Sequence, residues 1–204
     1  MKLYFAPGSC ALSPHIVLEE LGLPYELDKV DNRAKKTQDG GDFYAVNSRG
    51  YVPALRLDDG EVLVEGAAIV QYLGDLVPEQ GLVPHNGTME RVRLQEWLGF
   101  IATELHKGFS PFFNPRLPDE SKAILRERLV QRYDWLAKEM VGKEFVMGEH
   151  FTVADAYLFT ILRWGTTQNQ MEVSKWPVLK AYAERIAARP AVHRAMLAQG
   201  LIKG

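Results

Sequence analysis

The first 22 residues predict a strand that turns directly into a helix, and this unit constrains the fold most strongly. An apolar run at residues 3–5 is broken at residues 7–9, and apolar residues at helical spacing continue to Gly22. The only cysteine, Cys10, therefore lies where the strand becomes the helix. The first turn of a helix carries unpaired N–H groups and about +0.5 charge, which stabilises a thiolate. A lone cysteine can also be a small buried apolar residue, and that alternative stays open here.

The composition restricts the class of protein. With 204 residues, 47% hydrophobic and 25% charged, the chain can bury a full core in one large domain or two small ones. The net charge of −2 comes without blocks of like charge, so we expect no nucleic-acid partner and no membrane partner. One cysteine forms no internal disulfide and lacks the neighbours of a zinc site, so we expect no metal. A single thiol is typical of the reducing cytoplasm, where we expect this protein.

The spacing of the apolar residues changes near residue 78. Residues 1–77 predict strand, helix, strand, irregular helix, strand, strand and helix, which together make an α/β domain. Residues 78–88 are rich in Pro, Gly, Asn and His without periodicity, and we interpret them as a linker. Residues 89–204 have helical spacing throughout, with helices predicted at 89–113, 119–140, 153–164, 177–188 and 191–199. The predicted fold class is an α/β domain followed by an all-α domain.

Two dipeptides of the α/β domain are suited to binding a peptide-like zwitterion. Val52-Pro53 precedes a strand and is a candidate for a cis peptide bond, which would turn the backbone groups of Val52 outward to pair with an extended peptide. Glu65-Gly66 begins a helix and offers a carboxylate for an ammonium group and N–H groups for a carboxylate. Alternatively, Glu65 is only a favourable first-turn charge. Lys35, in a polar loop, could bind a carboxylate or simply be solvated.

One histidine of the helical half is a candidate catalytic residue. His106 lies among apolar helix positions, where it could hold a thiolate by a hydrogen bond or shuttle a proton near neutral pH. An ordinary surface histidine is the alternative. We expect the other histidines at the surface or in loops: His15, His85, His150 and His193. Thr152 and Asp155 form a capping-box pattern before an apolar helix, so we interpret them as a structural cap without a catalytic role.

Together these residues resemble a cytosolic glutathione S-transferase, and specifically one of the bacterial beta class. The resemblance covers the whole chain, in residues 2–14, 52–53, 65–73, 106–108 and 151–159. It implies a thioredoxin-like N-terminal domain and an all-helical C-terminal domain. It also implies glutathione as co-substrate and a homodimer with glutathione near the interface.

The resemblance implies a role for each site residue. Cys10 would face the glutathione sulfur and could form a mixed disulfide with it, and His106 would lie beside that thiol. The other implied glutathione contacts are Val52 and Pro53 at the cysteinyl part, Glu65 and Gly66 at the γ-glutamyl end, Lys35 at the glycyl end, and Thr103 and Glu104 from the partner subunit. We expect the electrophile pocket to include Phe109, Phe112, Phe113 and Trp164.

The chain departs from the family pattern at two glycines. Beta-class members often carry asparagine where this chain has Gly99, so a polar contact from the second subunit would be lost. Many transferases have serine where this chain has Gly66, which keeps the backbone donor and lacks the hydroxyl. We expect a weaker glutathione affinity and the same ligand.

Three functions are consistent with these patterns. The first is an enzyme, with a role such as detoxification, that binds glutathione and promotes attack of its thiolate on small hydrophobic electrophiles. The second is a glutathione-dependent thiol-disulfide oxidoreductase, in which free glutathione resolves a mixed disulfide on Cys10. The third is a non-catalytic binder of hydrophobic ligands, because a fold does not determine function. The presence of Cys10, Val52-Pro53 and Glu65 argues against the binder, which needs no thiol site.

Overall fold

The computed structural model of the protein describes residues 1–167 and 171–203. Contacts between residues divide the chain into two units. One unit combines residues 1–83 with the chain from residue 188 onward, and the other comprises residues 84–187. The domain boundaries predicted from the sequence, 77/78 and 88/89, divide the chain into consecutive segments. In the structure, the contacts instead group the last helix with the first unit.

A four-stranded mixed sheet forms the centre of the first unit. Its strands are β1 (Lys2–Phe5), β2 (Glu26–Lys29), β3 (Ala54–Arg56) and β4 (Val62–Val64), in the order β2-β1-β3-β4. The pair β1/β2 is parallel, while β1/β3 and β3/β4 are antiparallel. Parallel neighbours need a crossover connection, and the helix α1 (Leu12–Leu21) provides it. A short 3-10 helix, Phe43–Ala45, lies between β2 and β3.

Two further helices complete the first unit. The helix α2 (Gly66–Leu76) follows β4, and both α2 and the final helix of the chain pack against α1. A 3-10 turn, Pro78–Gln80, follows α2. Fully buried side chains from the sheet and the helices form the core, among them Leu3, Leu12, Ile16, Leu55, Ile69 and Leu73. Each such side chain contributes roughly 1.5–3 kcal/mol through burial, so the core holds the β1–α1 turn in place.

The second unit is helical. It begins with α3 (Met89–Phe100), which continues into a π-helix (Ile101–His106), the short α4 (Lys107–Phe109) and a 3-10 turn (Ser110–Phe113). The predicted helix at 89–113 is therefore helical throughout but changes its hydrogen-bond pattern.

Four more helices follow in the described part of the chain. They are α5 (Asp119–Glu139), α6 (Val153–Thr167) and α7 (Pro177–Ala187) in the second unit, and α8 (Pro190–Ala198), which packs on α1 in the first. A 3-10 turn, Val173–Lys175, precedes α7. Residues 153–162 of α6 are all buried, which confirms that this apolar helix is covered on every face. Within the described ranges, no helix is both long enough and apolar enough to cross a membrane.

Candidate active site

Cys10 lies in the turn between β1 and α1, as the sequence predicts. The carbonyl oxygen of Cys10 accepts from both the backbone N and the hydroxyl of Ser13, at 3.1 and 2.9 Å, which fixes the turn against the start of α1. Cys10 is partly exposed, and its Sγ donates to the carbonyl oxygen of Val52 at 3.4 Å. The Val52-Pro53 bond is cis, as the sequence suggested. The fold thus brings together two predicted site elements that lie about 40 residues apart in the chain.

A chain of hydrogen bonds links this turn to the end of α8. Gly8 N donates to Oε1 of Gln199 at 3.1 Å, and Nε2 of Gln199 lies 3.0 Å from Nδ1 of His15. Nε2 of His15 lies 2.8 Å from the hydroxyl of Tyr25, which donates to Glu19. These partners fit a neutral imidazole, because Gln199 can donate to Nδ1 while Nε2 donates to Tyr25.

His15 is fully buried, which corrects the expectation that it lies at the surface or in a loop. Burial lowers its pKa to about 4, against the opposing effect of the Glu19 carboxylate. One signal was available in the sequence, because His15 lies three residues after the buried Leu12 of the same helix. Its partner Gln199 is 184 residues away, and only the fold reveals it. The three other histidines that were expected at the surface or in loops are exposed: His85, His150 and His193.

The residues predicted for the two ends of glutathione both contact the loop at residues 47–51. Lys35 has a left-handed φ of 57°, and its Nζ donates to the carbonyl oxygen of Gly50 at 2.5 Å. Glu65, with a φ of 70°, directly precedes α2, whose first residue is Gly66. The Glu65 carboxylate accepts from Nη1 of Arg49 at 2.6 Å. Arg49 was not predicted as a site residue, because nothing in its spacing to Glu65 indicates the contact.

In the second unit, three predicted site residues lie on the π-helix: Thr103, Glu104 and His106. The N–H of Lys107 donates to the carbonyl oxygen of Ala102, five residues earlier, which is the bond that defines a π-helix. Such helices are rare and are found frequently at functional sites. This change of helix type was not predicted, because the prediction used the α-helical period of 3.6 throughout.

Two arginines of α5 hold the Glu104 carboxylate. Nε of Arg132 donates to Oε2 at 2.6 Å, and Nη2 of Arg128 lies 3.5 Å from the same oxygen. The hydrogen bond from Arg132 is the main cause of the lowered pKa of Glu104. Thr103 is exposed, and its hydroxyl donates to the carbonyl oxygen of Gly99 at 2.9 Å. A Cβ atom at Gly99 would meet no atom within 4 Å, so this position has room for the first atom of a side chain.

His106 is partly covered and is held by aromatic neighbours. Its Nδ1 lies 2.6 Å from the hydroxyl of Tyr157, and the ring of Trp164 contacts it edge-on at 4.9 Å between ring centroids. Burial lowers the pKa of His106 to about 4, and the charge of Lys107 lowers it further. The imidazole is therefore neutral at pH 7. This favours a hydrogen-bonding role over the alternative of proton transfer near neutral pH.

The residues predicted for the electrophile pocket form one aromatic cluster with His106. The ring of Trp164 lies 5.2 Å from that of Phe113 and 6.3 Å from that of Phe109, which lies 6.3 Å from Phe112. Phe109 is fully buried, whereas 48% of Phe113 is exposed. The cluster therefore has a buried base and one accessible apolar edge.

Comparisons with known proteins agree along the whole chain. Two family models match, "Glutathione S-transferase, N-terminal domain" over residues 8–76 and "Glutathione S-transferase, C-terminal domain" over residues 100–190. The glutathione S-transferase GstA of Escherichia coli O157:H7 is 43% identical over 201 residues, which cover 98% of this chain and 100% of that protein.

Solved structures show the same relationship. A bacterial beta-class glutathione S-transferase of Sphingomonas chungbukensis superimposes with a TM-score of 0.95 at 44% identity, over 99% of this chain and 100% of the other. A sphingomonad glutathione S-transferase complexed with glutathione has the same values. These matches confirm the predicted fold class, and the enzymes of this family conjugate glutathione. The chain therefore belongs to the glutathione S-transferase family, within its beta class, and is an enzyme that uses glutathione as its co-substrate.

Proposed function

We propose that this enzyme is a cytoplasmic homodimer that conjugates glutathione to small hydrophobic electrophiles, with the glutathione sulfur held beside Cys10. The contact between Sγ of Cys10 and the carbonyl oxygen of Val52, at 3.4 Å, carries the proposal. A cysteinyl residue that pairs with the backbone of Val52-Pro53 would place its own sulfur close to Cys10. The single thiol of the chain supports a reducing compartment.

The ends of glutathione are assigned to residues around the loop at 47–51. Glu65 accepts from the ammonium group of the γ-glutamyl end, and the N–H of Gly66 at the start of α2 donates to its carboxylate. Lys35 binds the glycyl carboxylate. The contacts of Lys35 with Gly50 and of Glu65 with Arg49 support this arrangement, because one loop then reaches both ends of an extended tripeptide.

His106 acts as a hydrogen-bond donor to the thiol site. With a lowered pKa of about 4, its imidazole is neutral at pH 7 and carries one proton. Nδ1 lies 2.6 Å from the hydroxyl of Tyr157, and we assign this hydroxyl as the donor, which leaves the proton on Nε2 for donation to a thiolate. A thiolate is stabilised by such a donor, and positioning it beside the electrophile supplies much of the remaining rate.

The second substrate and the partner subunit use other residues of the helical unit. The accessible rings of Phe112 and Phe113 offer apolar surface for an aryl or alkyl electrophile, and the buried rings of Phe109 and Trp164 support them from beneath. Thr103 and Glu104 approach the glutathione bound by the other protomer. The two arginines on Glu104 support this role, because they keep its carboxylate ionised and fixed.

The thiol of Cys10 also allows a redox reaction. The Cys10 thiolate attacks a mixed disulfide of glutathione, forms a Cys10–glutathione disulfide and releases the other thiol as a thiolate. A second glutathione thiolate then attacks this bond, which yields glutathione disulfide and regenerates the Cys10 thiolate. The step needs no second cysteine, and the chain has none.

The two activities can be separated by comparing wild type with Cys10→Ala. Glutathione conjugation to an aryl halide and glutathione-dependent disulfide reduction are measured in the same preparations. We expect conjugation to survive in Cys10→Ala, because the sulfur of glutathione is the nucleophile, and disulfide reduction to disappear. A collapse of both activities would show that Cys10 serves both reactions. A wild-type protein that binds glutathione and catalyses neither would favour the non-catalytic binder.

A further inference from the structure

Two residues of the loop at 47–51 hold one oxygen of the Glu65 carboxylate. Nη1 of Arg49 lies 2.6 Å from Oε1, and the hydroxyl of Tyr51 donates to the same oxygen at 3.4 Å. In the described part of the chain, Oε2 of Glu65 makes no hydrogen bond or ion pair. The carboxylate is therefore fixed through one oxygen while the other stays available.

The loop that carries these residues is itself braced. The side-chain amide of Asn47, which is 5% exposed, donates to the carbonyl oxygen of Tyr51 at 2.7 Å and accepts from the N–H of Arg49 at 3.1 Å. Lys35 donates to the carbonyl oxygen of Gly50 at 2.5 Å. An exposed ion pair between two flexible side chains contributes little, but here one partner projects from a fixed loop.

The backbone of Glu65 is fixed as well. Its φ of 70° is unusual for a residue with a side chain, and its carbonyl oxygen accepts from Ala68 N at 2.9 Å and Ile69 N at 3.0 Å. The remaining freedom of Glu65 is in its side-chain torsions, and the side chain is 59% exposed. Without a partner, this carboxylate would sample several rotamers in water. Fixing it before a ligand binds removes an entropy cost from binding.

We propose that Arg49 is a positioning residue for glutathione, with a smaller contribution from Tyr51. Arg49 holds Oε1 of Glu65, so that Oε2 is in place to accept from the ammonium group of the γ-glutamyl end. The proposal rests on the assignment of Glu65 to that ammonium group under the proposed function. It predicts that Arg49 affects the affinity for glutathione and leaves the chemical step unchanged.

The first test measures kcat and KM for glutathione in Arg49→Ala, at saturating aryl halide. We expect KM to rise about threefold to fivefold, as for the loss of one partly exposed charged contact. The kcat at saturating glutathione stays within about twofold, because the lost interaction stabilises ground state and transition state equally. Arg49→Lys restores part of the affinity, and Tyr51→Phe has a smaller effect. Arg33→Ala, which removes an exposed charge from the same unit, is the matched control and leaves KM unchanged.

The second test separates positioning from a general structural effect by changing the ligand. Glutaryl-Cys-Gly lacks the ammonium group of glutathione, and 4-aminobutyryl-Cys-Gly lacks the α-carboxylate of the same end. We expect the KM ratio of Arg49→Ala to wild type to fall to about one with glutaryl-Cys-Gly and to persist with 4-aminobutyryl-Cys-Gly. An equal ratio for all three thiols would overturn the proposal in favour of a structural role. Loss of the ratio with 4-aminobutyryl-Cys-Gly alone would overturn it in favour of a direct contact between Arg49 and the carboxylate.

A third variant distinguishes failure of this inference from failure of the Glu65 assignment. In Glu65→Gln, which removes the negative charge, glutathione and glutaryl-Cys-Gly should bind with similar KM values. If the wild-type enzyme has similar KM values for glutathione and glutaryl-Cys-Gly, Glu65 does not bind the ammonium group. Both the assignment of Glu65 and the inference about Arg49 then fail. If wild type discriminates and Arg49→Ala discriminates equally well, the inference alone fails.

Discussion

At the scale of single residues, burial decides which titratable groups carry charge. His15 and His106 both have a pKa lowered to about 4 by burial, and each keeps a neutral ring with a tyrosine hydroxyl as hydrogen-bond partner. Asp155 behaves in the opposite way, because burial raises its pKa to about 6 in spite of four donors that favour its charged form. These three groups link the stability of the protein to pH in opposite directions.

We predict that stability rises between about pH 4.5 and 6.5. In this window a histidine of the unfolded chain binds a proton, whereas buried His15 and His106 do not. Their contribution to the stability of the native state is therefore fully present above the pKa of an unfolded histidine and is lost as the pH falls towards 4. Asp155 has the opposite effect on stability, because its carboxyl binds a proton more tightly in the native state than in the unfolded state. This stabilisation is fully present below the pKa of the unfolded aspartate and is lost as the pH rises through 6. Because two histidines raise the stability with pH and one aspartate lowers it, the net stability rises.

Urea unfolding at a series of pH values measures this dependence. The control is His15→Asn, which keeps a polar group but cannot titrate, and its stability should rise less steeply with pH than that of wild type. The explanation is wrong if the slope is unchanged in His15→Asn, or if wild-type stability falls over this range.

A buried hydroxyl without a partner predicts a stabilising substitution. The Tyr133 hydroxyl is buried and has no hydrogen-bond partner among the described residues. Tyr133→Phe removes this group and keeps the ring, so we expect the free energy of unfolding to stay the same or rise by about 1 kcal/mol. The matched control is Tyr182→Phe, because the Tyr182 hydroxyl donates to Oδ1 of Asp155 at 2.9 Å. Its loss should cost about 1–3 kcal/mol, and an equal cost at both tyrosines would contradict the prediction.

At the scale of elements, the start of α6 shows how one side chain connects several segments. Asp155 accepts from the backbone N of Thr152 and of Val146, both at 2.8 Å, and from the Thr152 hydroxyl at 2.9 Å. The carboxylate therefore meets the predicted cap residue and also reaches the chain before it and α7. The contact with Thr152 follows the capping-box pattern, whereas the contacts with Val146 and Tyr182 depend on the fold.

We predict that Asp155→Ala destabilises the protein by about 3 kcal/mol or more, because it leaves buried donors unpaired. Asp119→Ala is the control, since Asp119 is also in the first turn of a helix but is exposed, with its carboxylate 2.9 Å from Lys122. That change should leave the free energy of unfolding nearly unchanged, because the Asp119 carboxylate is exposed to solvent. Both free energies come from urea unfolding. A small loss in Asp155→Ala would show that other contacts maintain the start of α6.

The elements themselves were largely predictable, and their departures from regular geometry were not. Helical and strand periodicities predicted β1 to β4 and the helices within a few residues, because local burial patterns reflect the fold. The π-helix at 101–106 was missed, since an α-helical period was assumed for the whole segment. Cys10 and the cis bond at Val52-Pro53 were identified from local context. The contacts of Arg49 with Glu65 and of His15 with Gln199 join distant segments, which no local pattern contains.

At the scale of the whole molecule, the candidate site residues lie in both units of the chain. The first unit holds the thiol of Cys10, the backbone of Val52 and the carboxylate of Glu65. The helical unit holds His106 and the aromatic cluster around Trp164. Within the first unit, we propose that glutathione binds with its sulfur beside Cys10.

The mass of the intact protein after incubation with glutathione disulfide tests this claim most directly. The Cys10 thiolate attacks the disulfide, retains one glutathionyl group and releases one glutathione, so wild type should gain a single glutathionyl group. The chain has one cysteine, so the adduct identifies its own site, and a reductant should remove it. Cys10→Ala should gain no mass. Wild-type protein that conjugates glutathione to an aryl halide yet gains no glutathionyl group would contradict the claim.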